Sequence, residues 1–205
     1  MPTWAILTLS GGLTNSINKY DYDETLYVPT DNGLSLFANR WGVINSVWGS
    51  FSIDDRDINY DPSKGWFASE RLAWYGLIPK YEKEFFLRSE TILEGYLTLF
   101  DIPVSETWNF KGVLAAQTSF TGIFPFSNTQ ISESNRLYID GMFKGRGWTK
   151  AYRSANAKGL ALWNTSLEFR MPISANLVGF DFFHDSVAVK PSVSDMFTDL
   201  KIDDF

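Results

Sequence analysis

Few side chains in this sequence could make or break bonds. There is one histidine, His184, and no cysteine. Thiol catalysis, thiolate metal sites and disulfides are thereby excluded, and a Ser-His-Asp triad or a histidine metal site would have to run through His184. Alternation puts His184 beside Phe182 on one face, near a strand end, and an interfacial histidine is the better reading. Asp54, Asp55, Asp57 and Asp61 are close enough in sequence to suggest a calcium loop. They lack the alternating ligands and closing glutamate of an EF-hand, and Arg56 among them lowers their mutual repulsion, so a structural turn is expected. The remaining candidate is Arg146, flanked by Gly145 and Gly147 and followed by Trp148, in a long polar loop. Its chemistry is recognition: a planar guanidinium can hold a carboxylate bidentately and stack on a ring. Taken alone, the segment reads as a solvated arginine between two turn glycines.

The elements that would position these residues are strands. About eight segments alternate apolar and polar residues with period two, punctuated by Gly, Pro, Asn and Asp. They run roughly over 3–14, 33–41, 46–53, 66–77, 85–100, 107–120, 160–171 and 177–189. The fifth is the cleanest. Phe85, Leu87, Leu93, Leu97 and Leu99 share one face, and Arg88, Glu90 and Glu94 share the other. A helix would scatter those charges around its cylinder. On the seventh strand Glu168 lies on the polar face; on the eighth, Asp181, Phe183 and Asp185 share a face opposite Val178, Phe180 and Phe182. Between the third and fourth strands, Pro62 fixes φ and Gly65 permits positive φ, which predicts a tight reversal. A soluble β-sandwich would show the same alternation. Strands longer than the usual five or six residues, with several charges on one face and none on the other in strands five to seven, favour a barrel.

Composition agrees. Charged residues make up 20% and aromatics 17%, with 8 Trp, 9 Tyr and 17 Phe, enough for aromatic girdles at two water–lipid boundaries. Tyr20, Tyr22, Tyr27 and Trp41 suit such anchoring better than sugar stacking. The net charge of −6 argues against a nucleic-acid partner. The longest uncharged stretch, Gly112 to Ser132, reads as a strand entering a loop and not as a membrane helix. Met1-Pro2-Thr3-Trp4 has neither a basic n-region nor a cleavage pattern, so if the protein is exported to an outer membrane its start is expected upstream.

The order of these features resembles the C-terminal barrel of the BamA/TamA family of outer-membrane assembly proteins, its BamA branch most closely. Leu137-Tyr138, Gly141 and Arg146-Gly147-Trp148 follow the family's loop layout. Asp55, Arg56, Asp57, Pro62 and Gly65 follow its D-x-R-D…P-x-x-G turn, and Ser166–Pro172 and Phe180–Asp185 follow its strands after the loop. Gly145 stands where a small hydrophobic residue is usual, and Trp148 where Phe or Tyr is commoner. The resemblance covers most of residues 33–189. It implies an all-β, antiparallel transmembrane β-barrel, with about eight strands of a larger sixteen-stranded barrel present in residues 1–205. The loop 128–158 would carry the Arg-Gly-aromatic motif into the lumen. Arg146 would there meet Glu168 and Asp185, with Phe183 stacked on its guanidinium. The POTRA domains and last strands would lie outside the chain. The implied function is non-enzymatic insertion and folding of outer-membrane proteins at the bacterial outer membrane, without a cofactor. The implied partners are outer-membrane lipid, unfolded outer-membrane proteins and assembly-complex lipoproteins. Two alternatives stay open: a transport barrel (two-partner secretion translocator or porin-like), and a barrel hydrolase working through His184.

Overall fold

The computed structural model describes residues 5–19, 41–78, 82, 84–106, 108–127, 129–139, 158–174 and 178–201. In chain order these form β1 (Ile6–Lys19), β2 (Trp41–Asp54), β3 (Gly65–Tyr75), β4 (Phe86–Ser105), β5 (Trp108–Pro125), β6 (Leu137–Tyr138), β7 (Lys158–Gly159), β8 (Ala161–Ser174), β9 (Val178–Lys190) and the short helix α1 (Val193–Thr198). Seven strands make one sheet in the order β1-β2-β3-β4-β5-β8-β9, and β6 and β7 pair separately. Every pairing is antiparallel. The expected strands at 46–53, 66–77, 85–100, 107–120, 160–171 and 177–189 fall within or closely overlap β2, β3, β4, β5, β8 and β9. The one expected at 33–41 lies outside the described residues apart from Trp41, which opens β2.

The all-β, antiparallel expectation stands, but the transmembrane barrel does not. Among the described residues the sheet is open: β1 and β9 are its two edges and do not pair with each other. A barrel closes only when strand number, tilt and stagger bring the last strand back onto the first. Here each hairpin adds a strand beside its predecessor and the last does not return. Without a closed wall there is no lumen. The expected barrel fragment that folds outer-membrane proteins, and the translocator or porin-like alternative, are both overturned in that form.

Strand periodicity gives the sheet two unlike faces. Thr8, Ser10, Ser50, Ser52, Ser69 and Arg71 line one face across β1–β3, and cross-strand pairing continues it through Glu90 and Glu94 of β4, Gln117 of β5, Ser166 of β8 and Asp185 of β9. On the other face Leu7, Leu9, Leu13, Val47, Phe51, Leu72, Leu93, Leu97, Leu167, Phe180 and Phe182 are exposed. Several polar groups on this apolar face satisfy one another, although Nδ2 of the buried Asn45 has no hydrogen-bond partner among the described residues. Glu70 accepts from the Ser89 and Thr91 hydroxyls, Trp163 Nε1 donates to Thr118 Oγ1 at 2.8 Å, and Ser186 Oγ lies 3.0 Å from His184 Nε2.

The two ends also differ. The connections 55–64, 106–107 and 175–177 join strands at one end, the short-turn end; 76–85 and the two longest, 20–40 and 126–160, join them at the other, the long-loop end, with α1. At this long-loop end both faces are covered. Ile131, Leu137 and Ile139 pack with Phe86, Ile123, Leu162 and Val187 on the polar face. On the apolar face α1 buries Met196 against Ala161 and Ala188, beside Phe120 and Trp163. Full burial of such a side chain contributes roughly 1.5–3 kcal/mol toward holding a six-residue helix that would not form alone.

Candidate functional site on the polar face

Glu168 and Phe183 are direct cross-strand partners, and Asp185 is paired with Ser166 two positions along. The three therefore share the polar face, as their sequence parity requires. Ser166 Oγ donates to Asp185 Oδ1 at 2.7 Å. Glu168 Oε2 accepts from Nε and Nη2 of Arg170 at 2.8 and 2.6 Å. Arg170 also lies over the Tyr96 ring, 5.8 Å from its centroid. With Glu94, Tyr96, Gln117 and Ser166, Glu168 and Arg170 line a small cleft in this face. Gly145, Arg146, Gly147 and Trp148 lie outside the described residues.

The second half of the site is the β2–β3 turn, which holds Asp55, Arg56, Asp57, Pro62 and Gly65. Gly65 has φ +98°, and a Cβ there would stand 2.1 Å from the Asp55 carbonyl oxygen, so only glycine fits. Pro62 is buried. Asp55 N–H donates to the Trp66 carbonyl at 2.9 Å and Asp57 N–H to that of Lys64 at 3.1 Å, closing the reversal. The Asp57 carboxylate accepts from the backbone of Ile58, Ser63 and Lys64 and from the Ser63 hydroxyl, at 2.6 to 3.2 Å. Partial burial alone would raise its pKa; these bonds to the charged form outweigh that and hold it below the usual value.

Arg56 carries the turn back onto the sheet. Its Nε and Nη2 fork onto Asp54 at 2.8 and 2.7 Å, and Nη1 reaches Glu94 Oε2 at 3.0 Å. The guanidinium lies 4.5 Å from the Phe67 ring centroid. The hydrogen bonds to Asp54, chiefly, push the Arg56 pKa above its already high ordinary value, so it is a permanent cation. Glu94 is held as well by Tyr96 OH at 2.8 Å and Gln117 Nε2 at 3.1 Å. Two further contacts bring the turn over the polar face: Thr98 Oγ1 donates to the Ser63 carbonyl at 2.9 Å, and Asp61 lies 3.9 Å from Arg170. The turn and the cleft are thus one charged assembly. Sequence reading put Glu94 on the wet face but missed its pairing with Arg56, which is 38 residues away. Alternation assigns a face; register decides who meets whom.

His184 faces outward as expected and neighbours Ser186, but Asp185 lies on the opposite face, so these residues form no triad. Among the described residues no group of three or more His, Cys, Asp or Glu could hold a metal. Asp57 spends its carboxylate on the turn itself, the structural role expected of that acidic run.

A family model for the Omp85 superfamily domain matches residues 7–196, nearly the whole described sheet and α1. The chain belongs to the Omp85 superfamily. It is 38% identical over 196 residues to a protein of Treponema pallidum (strain Nichols) provisionally named an outer membrane protein assembly factor. That match takes in 92% of this chain but 23% of the relative, so the chain spans about a quarter of that relative's length. No solved structure matches. As an Omp85 sequence the chain is a bacterial outer-membrane protein and not an enzyme, which removes the hydrolase alternative.

Proposed function

We propose that this Omp85 sheet serves an outer-membrane protein assembly factor as a two-faced platform. Its apolar face meets outer-membrane lipid, and its polar face seats the loop that carries Arg146. The observation that carries the reading is the segregation of the faces. Exposed leucines and phenylalanines fill one, and the Arg56–Glu94 and Arg170–Glu168 networks fill the other. A lipid contact suits a face several of whose polar groups bond among themselves, because hydrocarbon offers them no other partners. Glu168, Phe183 and Asp185 would receive Arg146 by charge-assisted bonds and ring stacking. Unfolded outer-membrane proteins would be the substrates, in keeping with the relative's name, and assembly-complex lipoproteins would be accessory partners.

The test is complementation in source cells depleted of the native protein, reading the amount of outer-membrane proteins that reach the membrane. Arg146→Glu and Asp185→Arg should each lower it, and the double variant should restore part of the loss. Native levels in both single variants would refute the reading of the polar face.

A further inference from the structure

The short helix α1 has no role in the polar-face site. It lies on the opposite, apolar face, at the long-loop end of β5, β8 and β9. Met196 is fully buried beneath it, while the next residue, Phe197, is 65% exposed, with its ring centroid 5.5 Å from that of Phe120. A helix this short could have buried both side chains or presented a polar outer surface. Instead it adds an exposed aromatic to an already apolar face. The flanking groups are charged: Asp195 in the first turn, and Asp199 paired with Lys201 at 3.2 Å after the last. An aromatic side chain beside charged, solvated groups is the composition of a water–lipid boundary.

A second aromatic band gives the dimension. Phe169 of β8 and Phe182 of β9 are paired on the same face toward the short-turn end, with Phe180 beyond them. Six residues of β8 separate Trp163, beside α1, from Phe169, and eight residues of β9 separate Ala188 from Phe180. At roughly 3.3 Å per residue the bands stand about 20–26 Å apart along the strands. We infer that α1 is an interfacial anchor. Phe197 inserts with Phe120 at the acyl-chain–headgroup boundary and sets the depth at which the apolar face rests. This inference depends on the reading of that face as lipid-facing.

The absence of cysteine in these 205 residues makes site-directed spin labelling clean. The full protein, with any cysteine outside this sequence replaced by serine, is labelled singly at Phe197→Cys or at Leu93→Cys. Leu93 lies on the exposed middle of the apolar face. In phosphatidylcholine–phosphatidylglycerol vesicles, collisions with oxygen and with a water-soluble nickel chelate report depth. Position 93 should be rich in oxygen and poor in nickel, and position 197 intermediate, near the phosphate level. With position 93 deep, a label at 197 that meets nickel as freely as in solution, or that meets neither reagent, overturns the anchor and leaves the lipid reading intact. A label at 93 that meets nickel freely overturns both. As a second arm, Phe197→Asp should shift position 93 toward water and Phe197→Trp should not; equal depths in the two variants also overturn the anchor.

Discussion

Replacing Arg56 with alanine should destabilise the sheet by about 2–3 kcal/mol. The figure follows from what the side chain holds. Three charge-assisted bonds, at 2.7, 2.8 and 3.0 Å, join it to Asp54 and Glu94, and the three side chains are only 14–16% exposed. Removing one partner of a buried ion pair costs about 3–5 kcal/mol, because the other charge stays behind unpaired. The value is lower here because the site is only partly buried and Glu94 keeps its bonds from Tyr96 and Gln117. Arg56→Lys should fall between wild type and alanine, since an ammonium cannot fork onto Asp54 while reaching Glu94. Arg56→Ala combined with Glu94→Gln should recover part of the loss by removing one stranded charge. The assay is urea unfolding of the purified protein in detergent micelles, followed by tryptophan fluorescence. A cost below about 1 kcal/mol for Arg56→Ala, the range of an exposed pair, would refute the claim that this cation ties the turn to the polar face.

Two further outcomes are expected from the same assay. Gly65→Ala should cost at least about 2 kcal/mol, from the strain of a non-glycine residue at positive φ and a clash with the Asp55 carbonyl. Gly95→Ala, where a Cβ would meet nothing within 4 Å, should be neutral or stabilise by up to about 1 kcal/mol; equal effects at the two positions would remove the geometric argument. Asp57 has a lowered pKa in the folded protein, so its contribution is fully present above the unfolded carboxylate value of about 3.9. It should be lost as pH falls from there through the folded value. Asp57→Asn should flatten that acid limb, and an unchanged limb would show that its hydrogen bonds do not favour the charged form.

Much of this molecule could be read without coordinates, for a local reason. A strand has period two, so Leu93, Leu97 and Leu99 had to part from Arg88, Glu90 and Glu94 whatever the strand paired with. The reversal at 55–64 was legible in the same way, because Pro62 and Gly65 restrict φ within the chain itself. The family, too, was carried by residues close together in sequence. What escaped depends on partners distant in sequence. Closure is decided by register and stagger summed over all strands, which no single segment encodes. The stretch around Ile131, Leu137 and Ile139, read as part of a polar loop, folds onto Phe86 and Leu162 because those residues offer an apolar surface at that end. Helix α1 shows no periodicity over six residues and forms because Met196 finds Ala161 and Ala188 beneath it. Arg56 and Glu94 carry no mark of each other in the sequence. Folding the turn back over the sheet brings them to 3.0 Å, and there two charges that would otherwise be solvated become one structural bond.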